Sequence, residues 1–272
     1  MFAAASKSVL PINNKFIIKT VQVVKSLMDN RLCETIERII AQYDLLANES
    51  RFTENKIYGK ELYAISDEGL SNHSSAIKSN GTYVITGGLG GLGYIFSTYI
   101  AKKYQSRLIL LGRSELSKES EMKITELRGY GSQVTYYACD VCDFNKVDQV
   151  VRNIGEITGI IHCAGIINQT SIMSDNMTEI EAVIAPKLYG TMNLDIATKD
   201  HDLDFIVLFS SISAIVGDYG CVSYASANKF MDEFSNLREE LRKRHKRNGK
   251  QSVLTGHYGI MVVCSYQMAI FL

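Results

Sequence analysis

A parallel, doubly wound α/β sheet with a partial subdomain ahead of it is predicted for this chain by three observations. From Tyr83 onward, short apolar runs alternate with helical stretches. Runs such as Phe205-Ile-Val-Leu-Phe209 are apolar at every position, as a strand covered on both faces requires. One run, Tyr83 to Thr86, leads directly into a glycine turn, Gly87-Gly-Leu-Gly-Gly-Leu-Gly93.

The strands read as Tyr83–Thr86, Arg107–Leu111, Val134–Ala138, Gly159–His162 and Phe205–Ser210. Helices are expected up to about Tyr104, across Lys118 to Tyr130, from Phe144, across Thr178 to Ala197, and from Tyr224 to about Arg247. The first eighty residues differ: one strand candidate (Phe16–Val24), one helix (Leu32–Tyr43) and a polar Ser/Asn stretch before Gly81. We therefore expect residues 1–79 to form part of a structural subdomain, residues 80–250 the main domain, and residues 251–272 an aberrant tail. No internal repeat or low-complexity segment is evident.

The glycine turn, Thr86 to Gly93 including Gly88, Leu89 and Gly90, has the spacing of a dinucleotide site. Gly87 serves the sharp turn, Gly91 the close approach of backbone to pyrophosphate, and Gly93 the packing of helix on strand. The phosphates would lie at the helix N-terminus near Leu92, where free N–H groups and the helix dipole favour negative charge. The next strand ends in Gly112-Arg113-Ser114. An acidic residue at this tip reads the ribose hydroxyl of NAD, whereas an arginine accommodates the extra phosphate of NADP, so Arg113 argues for NADPH.

Composition removes other classes. The chain has 272 residues, is 46% hydrophobic and carries zero formal net charge, so no global field favours nucleic acid or an anionic membrane. No apolar run reaches the roughly 20 residues that span a bilayer, and a cytoplasmic location is expected. The six cysteines read as reduced thiols. Cys139-Asp-Val-Cys142 has metal or redox spacing but no second ligand pair, and the histidines are scattered, so no metal site is assigned.

Ser210 and Ser211 end one strand, and Tyr224 follows Ser211 by thirteen residues at the start of the long helix. That puts a hydroxyl and a phenol at the carboxyl side of the sheet, beside a cofactor crevice. Reduction of a ketone by hydride needs a proton for the developing alkoxide. A tyrosine delivers it when a nearby ammonium lowers its pKa from about 10, while a serine hydroxyl bonds the carbonyl oxygen.

With these residues in place, the chain resembles the short-chain dehydrogenase/reductase superfamily and, within it, the ketoreductase domains of modular polyketide synthases of the bacterial trans-acyltransferase kind. The superfamily reads Tyr-x-x-x-Lys; here Tyr224-x-x-x-Asn228 pairs with an upstream Ala-Pro-Lys187-Leu-Tyr-Gly-Thr, the exchange seen in synthase ketoreductases. Leu110-Leu-Gly-Arg-Ser114, Cys139-Asp140-Val141 at the adenine, Gly159-Ile-Ile-His-Cys-Ala164-Gly165 along the ribose, and Phe209-Ser-Ser-Ile-Ser213 also match. The resemblance implies a Rossmann-like fold with NADPH as cofactor. Tyr224 would be the proton donor, Ser211 would orient the carbonyl, and Lys187 with Asn228 would tune the tyrosine and relay protons. The implied substrate is a β-ketoacyl chain on the phosphopantetheine of an acyl carrier protein, and the implied partners are other synthase domains. Neither marker of hydroxyl configuration is present: the aligned segment reads Ile167-Asn168-Gln169, without the aspartate of one class, and the chain has no Trp. The resemblance also implies that Asn55–Ala64 closes a degenerate, non-catalytic half, leaving Ile17, Ile18 and Val21 poorly covered.

The family follows its long helix with a strand like Lys-Thr-Ile-Ser-Ile-Asn-Trp-Pro-Leu-Trp-x-x-Gly-Gly-Met, where this chain has Lys250-Gln-Ser-Val-Leu-Thr-Gly-His-Tyr-Gly-Ile-Met-Val-Val-Cys264. Restoring one A beside the Lys250 codon makes the two compatible. Leu254/Thr255 then permits Asn, Thr255/Gly256 permits Trp and Gly256/His257 permits Pro, while His257/Tyr258 forces Leu and Met261/Val262 forces Gly. Gln251–Leu272 is therefore read as a frameshifted tail, through mutation or sequencing error; the alternative is a divergent native strand from Val253 to Val263. A frameshift predicts an open sheet edge, a substrate pocket short of a wall and impaired turnover. Two competing readings are a remnant that binds cofactor without turnover and a free-standing reductase of small carbonyl compounds, the latter opposed by Asn228 and the upstream segment.

Overall fold

A computed structural model describes residues 2–9, 20–23, 32–41, 49–52, 57–59, 76–167, 176–257 and 260–264. In chain order the elements are α1 (Phe2–Val9), β1 (Thr20–Val23), α2 (Leu32–Ala41), β2 (Glu49–Phe52), β3 (Ile57–Gly59), β4 (Thr82–Thr86), α3 (Gly91–Tyr104), β5 (Arg107–Gly112), α4 (Lys118–Gly129), β6 (Gln133–Ala138), α5 (Phe144–Ile154), β7 (Gly159–His162), α6 (Met177–Ala197), β8 (Phe205–Ser211), α7 (Ser213–Val216), α8 (Val222–Lys243), β9 (Lys250–His257) and β10 (Ile260–Cys264).

The main sheet runs β10-β9-β8-β7-β4-β5-β6, parallel throughout except for β10. From β4 the chain winds outward through β5 to β6, then returns to the other flank of β4 with β7. The crevice therefore opens between β4 and β7 at their carboxyl ends. Successive strand residues feed opposite cores: Tyr83, Ile85, Leu108, Leu110, Phe205 and Val207 pack on one face, and Val84, Ile109, Leu111, Ile206 and Leu208 on the other. Two covered faces at a side-chain period of two leave no position for a polar residue, which is why these strands read as continuous apolar runs. Among the described residues no helix is long and apolar enough to cross a membrane.

Differences from expectation fall at the ends. The long helix starts at Val222, two residues before Tyr224, and stops at Lys243, because His245 takes a left-handed φ of 57°. The expected open edge at β8 is not found: β9 lies parallel to it from Phe205↔Lys250 to Ser211↔Gly256, with Val253 and Leu254 buried. Its Val and Leu suit a buried strand position, so residues 250–257 pair with β8. Upstream, β1 occupies the end of the Phe16–Val24 candidate and forms a small sheet in the order β1-β2-β3; Ile17, Ile18 and most of Asn55–Ala64 lie outside the described residues.

The upstream segment also seats itself on the main domain. The Lys7 ammonium donates to the Ile215 carbonyl at 2.6 Å and pairs with Glu49 at 3.2 Å. The Asp218 N–H donates to Ser8 Oγ at 3.1 Å. Lys229, one residue beyond Asn228, is buried and pairs with Glu233 at 3.0 Å, with Glu49 3.8 Å away. The segment leading to Tyr224 is thus held by residues more than two hundred positions earlier.

Candidate functional site

The glycine turn forms because Gly87 adopts a φ of +65°, which an L side chain resists. Its N–H bonds the Leu111 carbonyl at 2.7 Å, and its carbonyl accepts from Gly90 N–H at 2.9 Å. A methyl group on Gly93 would strike the Gly87 carbonyl oxygen, so the turn and the helix start touch backbone to backbone. By contrast, nothing lies within 4 Å of a Cβ placed on Gly91, so backbone is open to approach there. Helix α3 begins at Gly91 with no side-chain cap and no acidic residue in its first turn, whereas Ser117, Asp143 and Asn176 cap α4, α5 and α6. Its first N–H groups, around Leu92, are therefore available to an anion. Gly88 and Leu89 complete the turn, and the Gly88 carbonyl accepts from Ser97 Oγ at 3.1 Å.

A cleft at the carboxyl ends of β4, β5 and β7 is lined by Gly87, Leu111, Gly112, Arg113, Cys139, Val141, Ala164, Gly165, Ile166 and Pro186. Five positions predicted to contact a cofactor thus share one wall. Arg113 and Ser114 are exposed at its rim. Asp140 shapes the loop: its Oδ1 accepts from Cys142 N–H at 2.9 Å and its carbonyl from Asp143 N–H at 3.0 Å. Burial raises the neighbouring thiols, Cys139 to about 11 and Cys142 to about 12, so both are protonated packing groups.

At the other end of the crevice the four remaining predicted residues converge. Strand β8 ends at Ser211, and α8 begins at Val222, so Tyr224 stands in its first turn. The side chains of Ser211 and Asn228 act on Tyr224 as hydrogen-bonding neighbours that pull its pKa down, yet burial outweighs them and the phenol ends above its ordinary value. This departs from the expectation of a lowered value. The Lys187 ammonium sits 5.7 Å from the ring centroid and donates instead to the Phe209 carbonyl at 2.7 Å, with Met231 Sδ at 3.8 Å. Lys187 is itself buried, and desolvation lowers it to about 8. Asn228 donates through Nδ2 to the Tyr224 carbonyl at 2.7 Å, while its buried Oδ1 has no partner among the described residues.

One participant escaped the sequence reading as a site residue. His162 is fully buried on β7 between Thr86 Oγ1, at 2.6 Å, and the Pro186 carbonyl, at 3.1 Å. The pairing of β4 with β7 and the packing of α6 across them bring these three together, so local sequence, which placed His162 in the segment along the ribose, could not name its partners.

Comparison with known proteins gives consistent matches. Residues 81–246 match the KR domain family. The chain is 41% identical over 185 residues to polyketide synthase PksM of Bacillus subtilis (strain 168), covering 66% of this chain. It is 41% identical over 200 residues to polyketide synthase PksL of the same organism, covering 71% of this chain. In each case it spans only 4% of the relative's length. Among solved structures, a ketoreductase domain from the bacillaene assembly line superposes with a TM-score of 0.81 at 29% identity, over 92% of this chain and 60% of that one. An N-terminal ketoreductase from the macrolactin assembly line gives 0.79 at 31%, over 93% and 50%.

Proposed function

Because the chain belongs to the KR domain family, we propose that it reduces a β-ketoacyl thioester, carried on the phosphopantetheine of an acyl carrier protein, to the β-hydroxyacyl thioester within a polyketide synthase. The observation that carries this reading is the convergence of Ser211, Tyr224, Asn228 and Lys187 at the carboxyl ends of strands that also form a glycine-lined dinucleotide cleft. The bare turn at Gly91 and the uncapped start of α3 fit a pyrophosphate, so the cofactor is a nicotinamide dinucleotide, which when bound supplies the hydride. We read it as NADPH from Arg113, with Thr86 to Gly93, Arg113, Ser114, Asp140, Val141, Ala164 and Gly165 as its binding residues.

The protein's own groups manage the oxygen. Ser211 donates a hydrogen bond to the ketone, which strengthens as the oxygen becomes an alkoxide. Tyr224, held protonated by burial, is loaded to give that oxygen its proton. Lys187, with a pKa of about 8, exchanges protons near neutral pH and can reload the phenol through a chain of hydrogen bonds. Asn228 fixes the turn of α8 that carries Tyr224, and its Oδ1, without a partner among the described residues, offers an acceptor to that chain.

The test is consumption of NADPH by the purified chain in the presence of a β-ketoacyl phosphopantetheine thioester, with the hydroxyacyl product identified. The Arg113→Ser variant is expected to raise KM for NADPH about tenfold, the loss of a charge-assisted contact, and to leave KM for NADH unchanged. An equal effect on both cofactors would remove Arg113 from phosphate recognition. We also propose the domain division at residues 79/80 and 250/251, with the tail out of frame. Resequencing from the Glu240 codon is expected to restore one A beside the Lys250 codon, and an unchanged frame would make β9 the native strand.

A further inference from the structure

His162 performs none of the chemistry above, yet it bridges the two halves of the site. Backbone N–H groups only donate, so Thr86 Oγ1 accepts from Ala164 N–H at 3.1 Å and has its own hydrogen to give to His162 Nδ1 at 2.6 Å. A carbonyl only accepts, so Nε2 carries the ring's hydrogen and donates it to Pro186 at 3.1 Å. The chain of bonds runs from Ala164 in the cleft wall, through the first residue of the glycine turn, to the residue immediately before Lys187. Burial and the nearby Lys187 charge keep the ring neutral, at about 3.

Two features make the far end depend on this bond. Pro186 lies inside α6 and has no N–H to give the Ala182 carbonyl, so the helix ladder is broken one residue before Lys187. The helix also packs closely at Gly190, where a Cβ would stand 2.8 Å from Val141 Cγ2 in the loop after β6 and 3.3 Å from His162 Cε1 on β7. The ring therefore packs against the turn from Pro186 to Gly190, which carries Lys187 and directly follows the gap in the ladder.

We propose that His162 is a positioning residue that sets the register of the Lys187 turn against the glycine turn, so that cofactor binding and proton supply depend on one buried link. The proposal rests on the functional reading given above. Its test uses His162→Phe, which fills the space without polar atoms, His162→Gln, which keeps one acceptor and one donor, Thr86→Val, and the double variant Thr86→Val/His162→Phe. The readouts are NADPH affinity by nicotinamide fluorescence, kcat and KM for the keto thioester, and denaturant unfolding without cofactor.

Expected for His162→Phe is a loss of about tenfold in both NADPH affinity and kcat with an unchanged KM for the thioester, the scale of one broken buried hydrogen bond. His162→Gln should recover most of both losses, and should do so even where the phenylalanine variant folds poorly. Thr86→Val and His162→Phe should be non-additive, since both cut the same link. Wild-type affinity and kcat in a folded His162→Phe variant, or fully additive losses, would overturn the proposal. Should the unmodified protein bind no dinucleotide, the functional reading falls instead, and the unfolding cycle decides the link: coupled losses support it and additive ones reject it.

Discussion

The Tyr224→Phe variant is expected to lose about a thousandfold in kcat, within the range for removing a general acid, while NADPH affinity stays at the wild-type level. The change deletes one oxygen and leaves the ring, so the fold and the ring's contact with Lys187 survive. Retained turnover within about tenfold of wild type would move the proton donor elsewhere. The wild-type pH profile carries an independent check. Burial brings Lys187 from 10.5 to about 8, so its ammonium form is present below that pH and is lost as pH rises through it. If this ammonium reloads Tyr224, kcat should be level below pH 8 and decline above it. Tyr224 itself, shifted upward, stays protonated across the same window.

The largest loss of stability is expected from Arg238→Ala. Arg238 is only 2% exposed, on the face of α8 toward β9. Its Nε donates to Asp195 Oδ1 at 2.9 Å, its Nη1 to the Gly249 carbonyl at 2.9 Å and Gln251 Oε1 at 3.3 Å, and its Nη2 to the Asn248 carbonyl at 2.5 Å. One side chain thus clamps the turn that feeds β9. Removing one member of a buried ion pair costs about 3–5 kcal/mol, and the low end applies here because Arg247 still holds the other Asp195 oxygen. Urea unfolding should report the loss as a lower midpoint, and a change under about 1 kcal/mol would show that the clamp is not needed.

What could be seen in the sequence, and what could not, follows from the range of the forces involved. The strands of the main sheet declare themselves because burial on both faces is written locally, residue after residue, as in Phe205 to Phe209. The glycine turn is equally local, since Gly87 and Gly93 are required by backbone geometry within a few residues. The convergence of Ser211 and Tyr224 could be anticipated because a strand end and a helix start lie close along the chain. Other features depend on distant partners. Helix α1 is short and has no strong pattern of its own, and Glu49–Phe52 carries charges at alternate positions; both acquire their roles only through Lys229, Ile215 and Asp218. The upward shift of Tyr224 was hidden for the same reason, because burial is a property of the assembled site. The pairing of β9 on β8 shows a weaker constraint: a strand position accepts almost any apolar, β-branched run, so strand formation there does not certify the reading frame.

The seating of α1 carries a further consequence for the newborn chain. Lys7 and Ile215 are separated by 208 residues, a span that takes about 10–40 s to synthesise at about 5–20 residues per second. During that interval α1 has emerged but its seat does not yet exist. The stretch just before Tyr224 gains its anchor only when the two meet, and contacts so distant along the chain come late because loop closure must be spent first. Maturation of this part of the domain therefore ends at the reacting end of the crevice, where α1 meets the segment before Tyr224.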